Sequence, residues 1–307
     1  MKFEYWEPDS IPAAIALLER YRERAKILAG GTDLVVQMRQ GIMRPDCVIH
    51  IGRIPELKGI LQKVGGGIRI GTLTTMREIE KSEILQSGFD ILCQGAAQVS
   101  CPQIRNVATL GGNTCNGVPS ADTVPALMAL GAEAILMSPA GERSVPLEKF
   151  HNGPGRTILK GDEMLLRFKI PAPPPFTGGC YLKYTPRGTF ELAIVGVAAL
   201  ITLNPRDGLC ENARLILGAC GPTPLRVKNA ESILLGKRRD KSLFARAAEI
   251  AAGEAQPNPG VSVRASAPYR REMVRVWSRY ALEKAWQKAE TCLDLSSKFE
   301  VNKAGNA

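Results

Sequence analysis

Two stretches of the chain share one arrangement: a short apolar run, two adjacent glycines, then polar residues. The first is KILAGGTDLVVQMRQG, Lys26–Gly41. The second is VATLGGNTCNGVPSADTVPALMALGAE, Val107–Glu133, where Asp122 stands between the glycines and a helix-like stretch of Ala, Leu and Met. Glycines directly after a strand let the backbone turn tightly and come close to a ligand. Successive N–H groups pointing into such a turn make an anion-binding concavity. One such loop suits one phosphate; two, from distant parts of the chain, suit a pyrophosphate held from both sides. The Thr32 and Thr109 hydroxyls add hydrogen-bonding capacity, and Asp122 can accept from a sugar or ribityl hydroxyl, as acidic residues do in dinucleotide sites. A side chain at Gly31 or Gly112 would block backbone approach and conflict with a positive φ. Neither loop reads GxGxxG or GxxxxGK followed by Ser or Thr, so neither the Rossmann nor the P-loop fingerprint applies. Spacing alone leaves two ordinary tight turns as an equal alternative.

Around these loops the chain alternates strands and helices. FEYWEP is extended, and SIPAAIALLERYRER reads as a helix with Ser10 as N-cap and Pro12 in its first turn. KILAGG, CVIHIG and GIRIGTLTT read as strands, TMREIEKSEIL, DILCQGAAQV and TVPALMALG as helices, and AEAILMS and GERSVPL as a further strand pair. Gly- and Pro-rich stretches, HNGPGRTILKGDEML and IPAPPPFTGG, then mark a break. Beyond a boundary at about residue 172, CYLKYTP, ELAIVGVAALITLN and ENARLILGACG predict three strands. Helices follow at Asn229–Leu234, Lys241–Gly253 and about Tyr269–Lys288. This order predicts an α+β module. The expected divisions are 1–55, 56–172, 173–290 and a loose polar tail at 291–307.

Bulk properties narrow the function classes. At 307 residues, 45% hydrophobic and 23% charged, the chain is an ordinary globular sequence. No apolar run reaches the roughly 18 residues of a membrane span, and MKFEYWEPDS lacks the apolar core of a signal peptide, so the expected location is the cytoplasm. Eight cysteines occur without a CxxC pair, and neither histidine, His50 nor His151, lies near a cysteine pair at zinc-ligand spacing. The net charge of +10 is spread along the chain. In YRREMVRVWSRY the residues Met273, Val276 and Trp277 recur at helical spacing, so the arginines read as a solvated or partner-facing side rather than a nucleic-acid surface. A basic surface also suits an anionic cofactor or an acidic partner subunit.

AGGTDL (Ala29–Leu34), IRNVATLGGN (Ile104–Asn113) and Asp122 resemble the FAD-binding subunit of molybdenum hydroxylases, the group that includes xanthine dehydrogenase, carbon monoxide dehydrogenase, nicotinate dehydrogenase and 4-hydroxybenzoyl-CoA reductase relatives. The resemblance continues through GPGRTILKGDEMLLRFKIP and YLKYTPRGTFELAIVGVAA and covers about residues 1–285. It implies an α+β fold: two subdomains forming a flavin-binding half of the vanillyl-alcohol oxidase type, then a C-terminal module of three-stranded antiparallel sheet and helix bundle. It also implies roles. Leu28, Ala29, Gly30, Gly31, Thr32, Asp33 and Leu34 would wrap the FAD pyrophosphate through backbone N–H groups. Thr109, Gly111, Gly112 and Asn113 would form the facing loop, with Ser100 from the preceding stretch also at the cofactor. Asp122 would bind an FAD hydroxyl. Leu166 would pack beside the flavin, and Lys183 would lie near the isoalloxazine, its charge stabilising an anionic reduced flavin.

Three departures stand out. Glu191 occupies a position where relatives often carry Asp. AAQVSCPQIRN offers Val99 and Ser100 where some relatives stack an aromatic ring on the flavin. Only TCNGVPSA separates the second loop from Asp122, without the cysteine-bearing insertion of the 4-hydroxybenzoyl-CoA reductase type, so no iron–sulfur cluster is expected in this chain. The resemblance thus implies an electron-transfer subunit without catalytic residues or metal ligands of its own. It would work with an iron–sulfur subunit carrying [2Fe-2S] clusters and a subunit carrying the molybdenum cofactor, in a dimer of heterotrimers, and exchange electrons with NAD or another carrier. The alternative is a stand-alone flavin oxidase of the same fold, which often tethers FAD through His or Cys; His50 and His151 both lie outside the glycine loops.

Overall fold

The computed structural model describes residues 2–188, 190–258 and 264–304, with side chains described as far as residue 294. The chain opens with β1 (Glu4–Trp6), α1 (Ile11–Tyr21), β2 (Ala25–Leu28), α2 (Leu34–Arg39) and β3 (Cys47–His50). The strands form a parallel sheet in the order β1-β3-β2, with Leu28 opposite His50. Helix α1 starts where expected: Ser10 is the N-cap residue, in an extended conformation but without a side-chain cap bond, and Pro12 lies in the first turn, where a missing N–H costs nothing. Its Ala14, Ile15, Leu18 and Tyr21 are buried against this sheet.

The second layer holds β4 (Ile60–Gln62), β5 (Ile68–Gly71), then six short helices, α3 (Met76–Lys81), α4 (Glu83–Gln86), α5 (Asp90–Ala97), α6 (Pro102–Arg105), α7 (Leu110–Cys115) and α8 (Thr123–Ala129). It is completed by β6 (Glu133–Ser138), β7 (Gly141–Pro146), a small hairpin of β8 (His151–Gly153) and β9 (Arg156–Thr157), and β10 (Met164–Ile170). Five of these strands make an antiparallel sheet, β4-β5-β10-β6-β7. Strand β10 joins the layers. Its Met164 and Leu166 pack into the core of the first sheet, while Leu165, Phe168 and Ile170 pack into the core of the second. A register shift between Leu165 and Arg167 lets both faces be buried in this way.

The last part comprises β11 (Thr177–Tyr184), β12 (Val195–Leu203), β13 (Cys210–Gly218), β14 (Leu225–Arg226), α9 (Lys228–Ser232), α10 (Lys241–Glu254) and α11 (Ala267–Ala304). Strand β12, VGVAALITL, is buried at all nine positions, as an uninterrupted apolar run predicts. Its sheet has four strands rather than the expected three, because the two-residue β14 adds to the edge of β13 through Ile216 and Leu217. Helices α10 and α11 cover the sheet, with Phe244 and Trp286 in ring contact at 5.5 Å in the core beneath them. The backbone of helix α11 continues to Ala304. No Gly or Pro occurs between Tyr269 and Ala304, so nothing local stops the helix.

Candidate functional site

A cleft of about 870 Å³ opens where the three layers meet. That volume lies within the range of roughly 300–1,000 Å³ typical of cofactor sites. It brings together Ala29, Gly30, Gly31, Thr32, Asp33 and Leu34 with Ser100, Thr109, Gly111, Gly112, Asn113, Asp122 and Lys183. Leu28 and Leu166 are not in its lining. Leu28 ends β2, its carbonyl oxygen accepting from Ile51 N–H (3.0 Å). Leu166 faces the first core, and its neighbour Leu165 lines the cleft instead. Adjacent residues of a strand point to opposite faces, so Leu165 and Leu166 lie against different layers.

The two glycine loops meet here with different geometry. The first is a turn after a strand: Gly31 has φ of +71°, and a Cβ on Gly30 would lie 1.9 Å from the Val107 carbonyl oxygen. The backbone N–H groups of Gly30, Gly31, Thr32, Asp33 and Leu34 donate to no acceptor among the described residues. The second pair does not follow a strand. Gly111 and Gly112 lie in the first turn of α7, capped by Thr109, whose hydroxyl oxygen accepts from Gly112 N–H (3.1 Å). Neither has a positive φ, which corrects the expectation for Gly112. Their neighbours' amides are also used: Leu110 N–H donates to the Thr74 carbonyl (2.9 Å), Gly111 N–H to Thr72 (2.9 Å) and Asn113 N–H to Thr109 (3.0 Å). Amides without protein acceptors are thus found on the first loop and not on the second. The other offers side chains: the Thr109 O–H, and the Asn113 amide, whose Oδ1 already accepts from the Thr123 hydroxyl (2.7 Å).

Elsewhere in the cleft lining Asp122 and Lys183 form a buried ion pair. Lys183 Nζ donates to Asp122 Oδ2 (2.8 Å) and to the Gln98 carbonyl (2.9 Å), and the Tyr181 hydroxyl donates to Asp122 Oδ1 (2.9 Å). An ammonium has three N–H donors, so one remains beyond these two partners. Burial pushes the Asp122 carboxyl up, with Lys183 and the Tyr181 hydroxyl pulling against it. Burial also holds the Tyr181 phenol well above its ordinary range. Tyr181 and Gln98 were not foreseen. Tyr181 had a signal: it stands two residues from Lys183 on a strand, so the two share a face. Gly196, opposite Lys183 on β12, leaves the space, since a Cβ there would lie 2.8 Å from the Tyr181 hydroxyl oxygen.

The remaining candidates fall into place around this frame. Glu191 lines the cleft and accepts from Arg187 N–H (2.9 Å) and Arg187 Nε (2.5 Å). Cys115 also lines it, but burial raises its thiol to about 12, which keeps it protonated and unreactive at neutral pH. Neither histidine is in the lining. His151 Nε2 donates to the Thr114 carbonyl (2.9 Å), with its pKa lowered by burial. Among the described residues no three His, Cys, Asp or Glu side chains group to hold a metal ion, and no helix is long and apolar enough to cross a membrane.

A cleft lined by free amides on a glycine turn and by a buried cation suits an extended, phosphate-bearing cofactor. Sequence comparison gives that site a family. Residues 1–173 match the FAD binding domain in molybdopterin dehydrogenase, and residues 180–296 the CO dehydrogenase flavoprotein C-terminal domain. The chain belongs to the FAD-binding, medium-subunit family of xanthine dehydrogenase and carbon monoxide dehydrogenase relatives, and is an oxidoreductase component. It is 34% identical over 263 residues to a xanthine dehydrogenase FAD-binding subunit of Escherichia coli O157:H7, covering 85% of this chain and 89% of that one. To the carbon monoxide dehydrogenase medium chain of Hydrogenophaga pseudoflava it is 33% identical over 285 residues, covering 93% and 97%. A solved carbon monoxide dehydrogenase from that organism, lacking the Mo-pyranopterin moiety of its molybdenum cofactor, superposes with a TM-score of 0.89 at 32% identity, over 94% of this chain and 98% of that one. Quinoline 2-oxidoreductase from Pseudomonas putida 86 superposes with a TM-score of 0.87 at 28% identity, again over 94% and 98%.

Proposed function

We propose that this chain holds one FAD in the cleft and passes electrons between iron–sulfur clusters of a partner subunit and NAD or another carrier. A third subunit carrying the molybdenum cofactor would transform the organic substrate. The observation that carries this reading is the run of amides from Gly30 to Leu34 without protein acceptors, on a turn that lines a cofactor-sized cleft. Such a run suits a pyrophosphate. The medium-chain relatives support the assembly, which we take to be a dimer of heterotrimers. In this reading residues 1–55 and 56–172 form a flavin-binding half of the vanillyl-alcohol oxidase type, and 173–290 form the C-terminal domain.

The bound flavin would supply one- and two-electron chemistry. The chain's residues bind and orient it. Amides of the first loop take the pyrophosphate, and Thr109 and Asn113 add donors from the facing side. Asp122 fixes Lys183 in the cleft lining, where its positive charge would offset negative charge on the ligand. Asp122 retains lone pairs for a ligand hydroxyl beyond the two bonds it accepts.

Anaerobic stopped-flow mixing tests the reading. The FAD-loaded chain alone is expected to bleach its flavin with NADH, or with a reduced dye if the carrier is not NAD. It should turn over no organic substrate until the two partner subunits are added. Flavin reduction by an organic substrate with this chain alone would replace the electron-transfer reading with a stand-alone oxidase.

A further inference from the structure

Tyr181 is held at both ends. Its N–H donates to Gln94 Oε1 (2.9 Å) on α5, and its hydroxyl to Asp122 Oδ1 (2.9 Å) at the start of α8. Gln94 is fixed in turn, its Nε2 donating to Asp90 Oδ2 (2.9 Å), which also takes Lys288 Nζ from α11 (2.5 Å). Asp122 and Lys183 line the cleft, whereas Tyr181 does not. Tyr181 therefore acts on a ligand only through Asp122.

A buried tyrosine usually finds an acceptor for its hydroxyl, and that alone is packing. Here the acceptor is a buried carboxylate with two side-chain donors among the described residues, Tyr181 and Lys183. Removing one donor from such a group drives it towards its neutral form. The phenol stays a donor, because burial and the Asp122 charge hold it well above its ordinary range. The neighbouring elements add no other charge. Helix α5 faces Asp122 with Gly95, β12 faces the phenol with Gly196, and Cys220 stands near that phenol. Cys115 of α7 lines the same cleft with its thiol raised to about 12. Asp122 is also the lining carboxyl that burial pushes up, whereas Arg143 and Arg187 hold those of Glu163 and Glu191 down.

We infer that Tyr181 is a positioning residue whose hydroxyl keeps the Asp122–Lys183 pair charged while electrons occupy the cofactor. The inference rests on the reading of the cleft as an FAD site. Two electrons arriving with one proton add a negative charge to a site that already holds a carboxylate. That charge favours uptake of a second proton, and Asp122 is the lining acid most ready to take it. The Tyr181 and Lys183 hydrogen bonds withhold it. Electrons can then come and go without a proton having to reach a buried group.

The test uses the full chain with Tyr181→Phe, which keeps the ring and drops the hydroxyl. In the flavin-free chain, carbon-13 NMR follows the Asp122 carboxyl against pH. The variant is expected to bind the proton about tenfold more tightly, the worth of one hydrogen bond to a charged group. A fluorinated tyrosine at position 181, a stronger donor, is expected to shift the titration the opposite way. In the FAD-loaded chain, the midpoint potential is followed across the neutral pH range by dye equilibration. The native protein is expected to take up one proton per electron pair. Tyr181→Phe is expected to take up two at the acid end, with a protonated-carboxyl band in its reduced-minus-oxidised infrared spectrum. Adding Asp122→Asn should remove both the second proton and the band, which a loss of packing alone would not produce. An unchanged Asp122 titration, or one proton per pair in Tyr181→Phe without the band, would overturn the inference. FAD uptake by the native protein is measured first. No uptake would sink the site reading and leave the inference without a cofactor, whereas uptake with an unchanged proton count sinks the inference alone.

Discussion

Gly31 turns the first loop with a φ of +71°, whereas Gly111 and Gly112 lie in the opening turn of a helix with no positive φ. The first loop leaves its amides from Gly30 to Leu34 without protein acceptors. The second uses those of Leu110, Gly111, Gly112 and Asn113 within the fold. The loops also touch, since the space a Gly30 side chain would fill holds the Val107 carbonyl. Two adjacent glycines can thus serve two purposes. In the first loop they shape a turn that leaves its amides open to the cleft. In the second they allow close packing, with Gly111 pressed against Thr72, where a Cβ would lie 1.6 Å from the hydroxyl oxygen.

The largest effect is expected where the loops meet. Gly30→Val should destabilise the protein by about 3 kcal/mol and abolish FAD uptake, because the branched side chain must displace the backbone of the second loop. Urea unfolding with and without FAD measures both. A native-like midpoint would show that the loops do not depend on each other. Next comes the ligand itself: FAD at 100 times its Kd should raise the native protein's unfolding free energy by about 2.7 kcal/mol. Removing FAD should return that amount, and a midpoint indifferent to FAD would leave the first loop's open amides without a purpose.

Gly31→Ala sharpens the contrast at a single position. The left-handed φ should cost about 1–2 kcal/mol and weaken FAD binding as the cradle shifts. Gly112→Ala has no left-handed φ to strain, and its cost is limited to moving the Thr109 hydroxyl oxygen, which would lie 2.9 Å from the added Cβ. A greater loss of stability at Gly112 than at Gly31 in thermal unfolding would reverse the comparison. The smallest effect is expected for Thr109→Ala, which removes the N-cap bond to Gly112 and should cost about 1 kcal/mol. Its FAD affinity should fall less than that of Gly31→Ala.

The first loop was legible because its signal is local: an apolar strand, a glycine that must be left-handed, and polar residues opening α2. Strand β12 was legible for the same reason, as nine consecutive residues without a charged side chain read as buried. The second loop was harder, since LGGNTC has poor helix formers and becomes α7 through the Thr109 cap and the burial of Leu110 and Thr114. Leu165 and Leu166 point to opposite faces as strand neighbours do, but which of them meets the cleft depends on where β10 sits between the two sheets, which no local pattern announces. The bond from Tyr181 to Asp122 joins residues 59 apart, so the network became visible only once β11 was placed beside the cleft. Periodicity records neighbours along the chain, whereas the ion pair and its phenol are assembled across it.

The most direct measurement is a comparison of FAD and FMN binding to the flavin-free chain by calorimetric titration under identical conditions. FMN carries one phosphate and no pyrophosphate, so it forgoes what the first loop is proposed to hold. The structure predicts one FAD per chain, bound well over tenfold more tightly than FMN, because several charge-assisted hydrogen bonds at about 1.5 kcal/mol or more each are made only to the pyrophosphate. Equal affinities, or a preference for FMN, would contradict the assignment of the Gly30–Leu34 amides to a pyrophosphate.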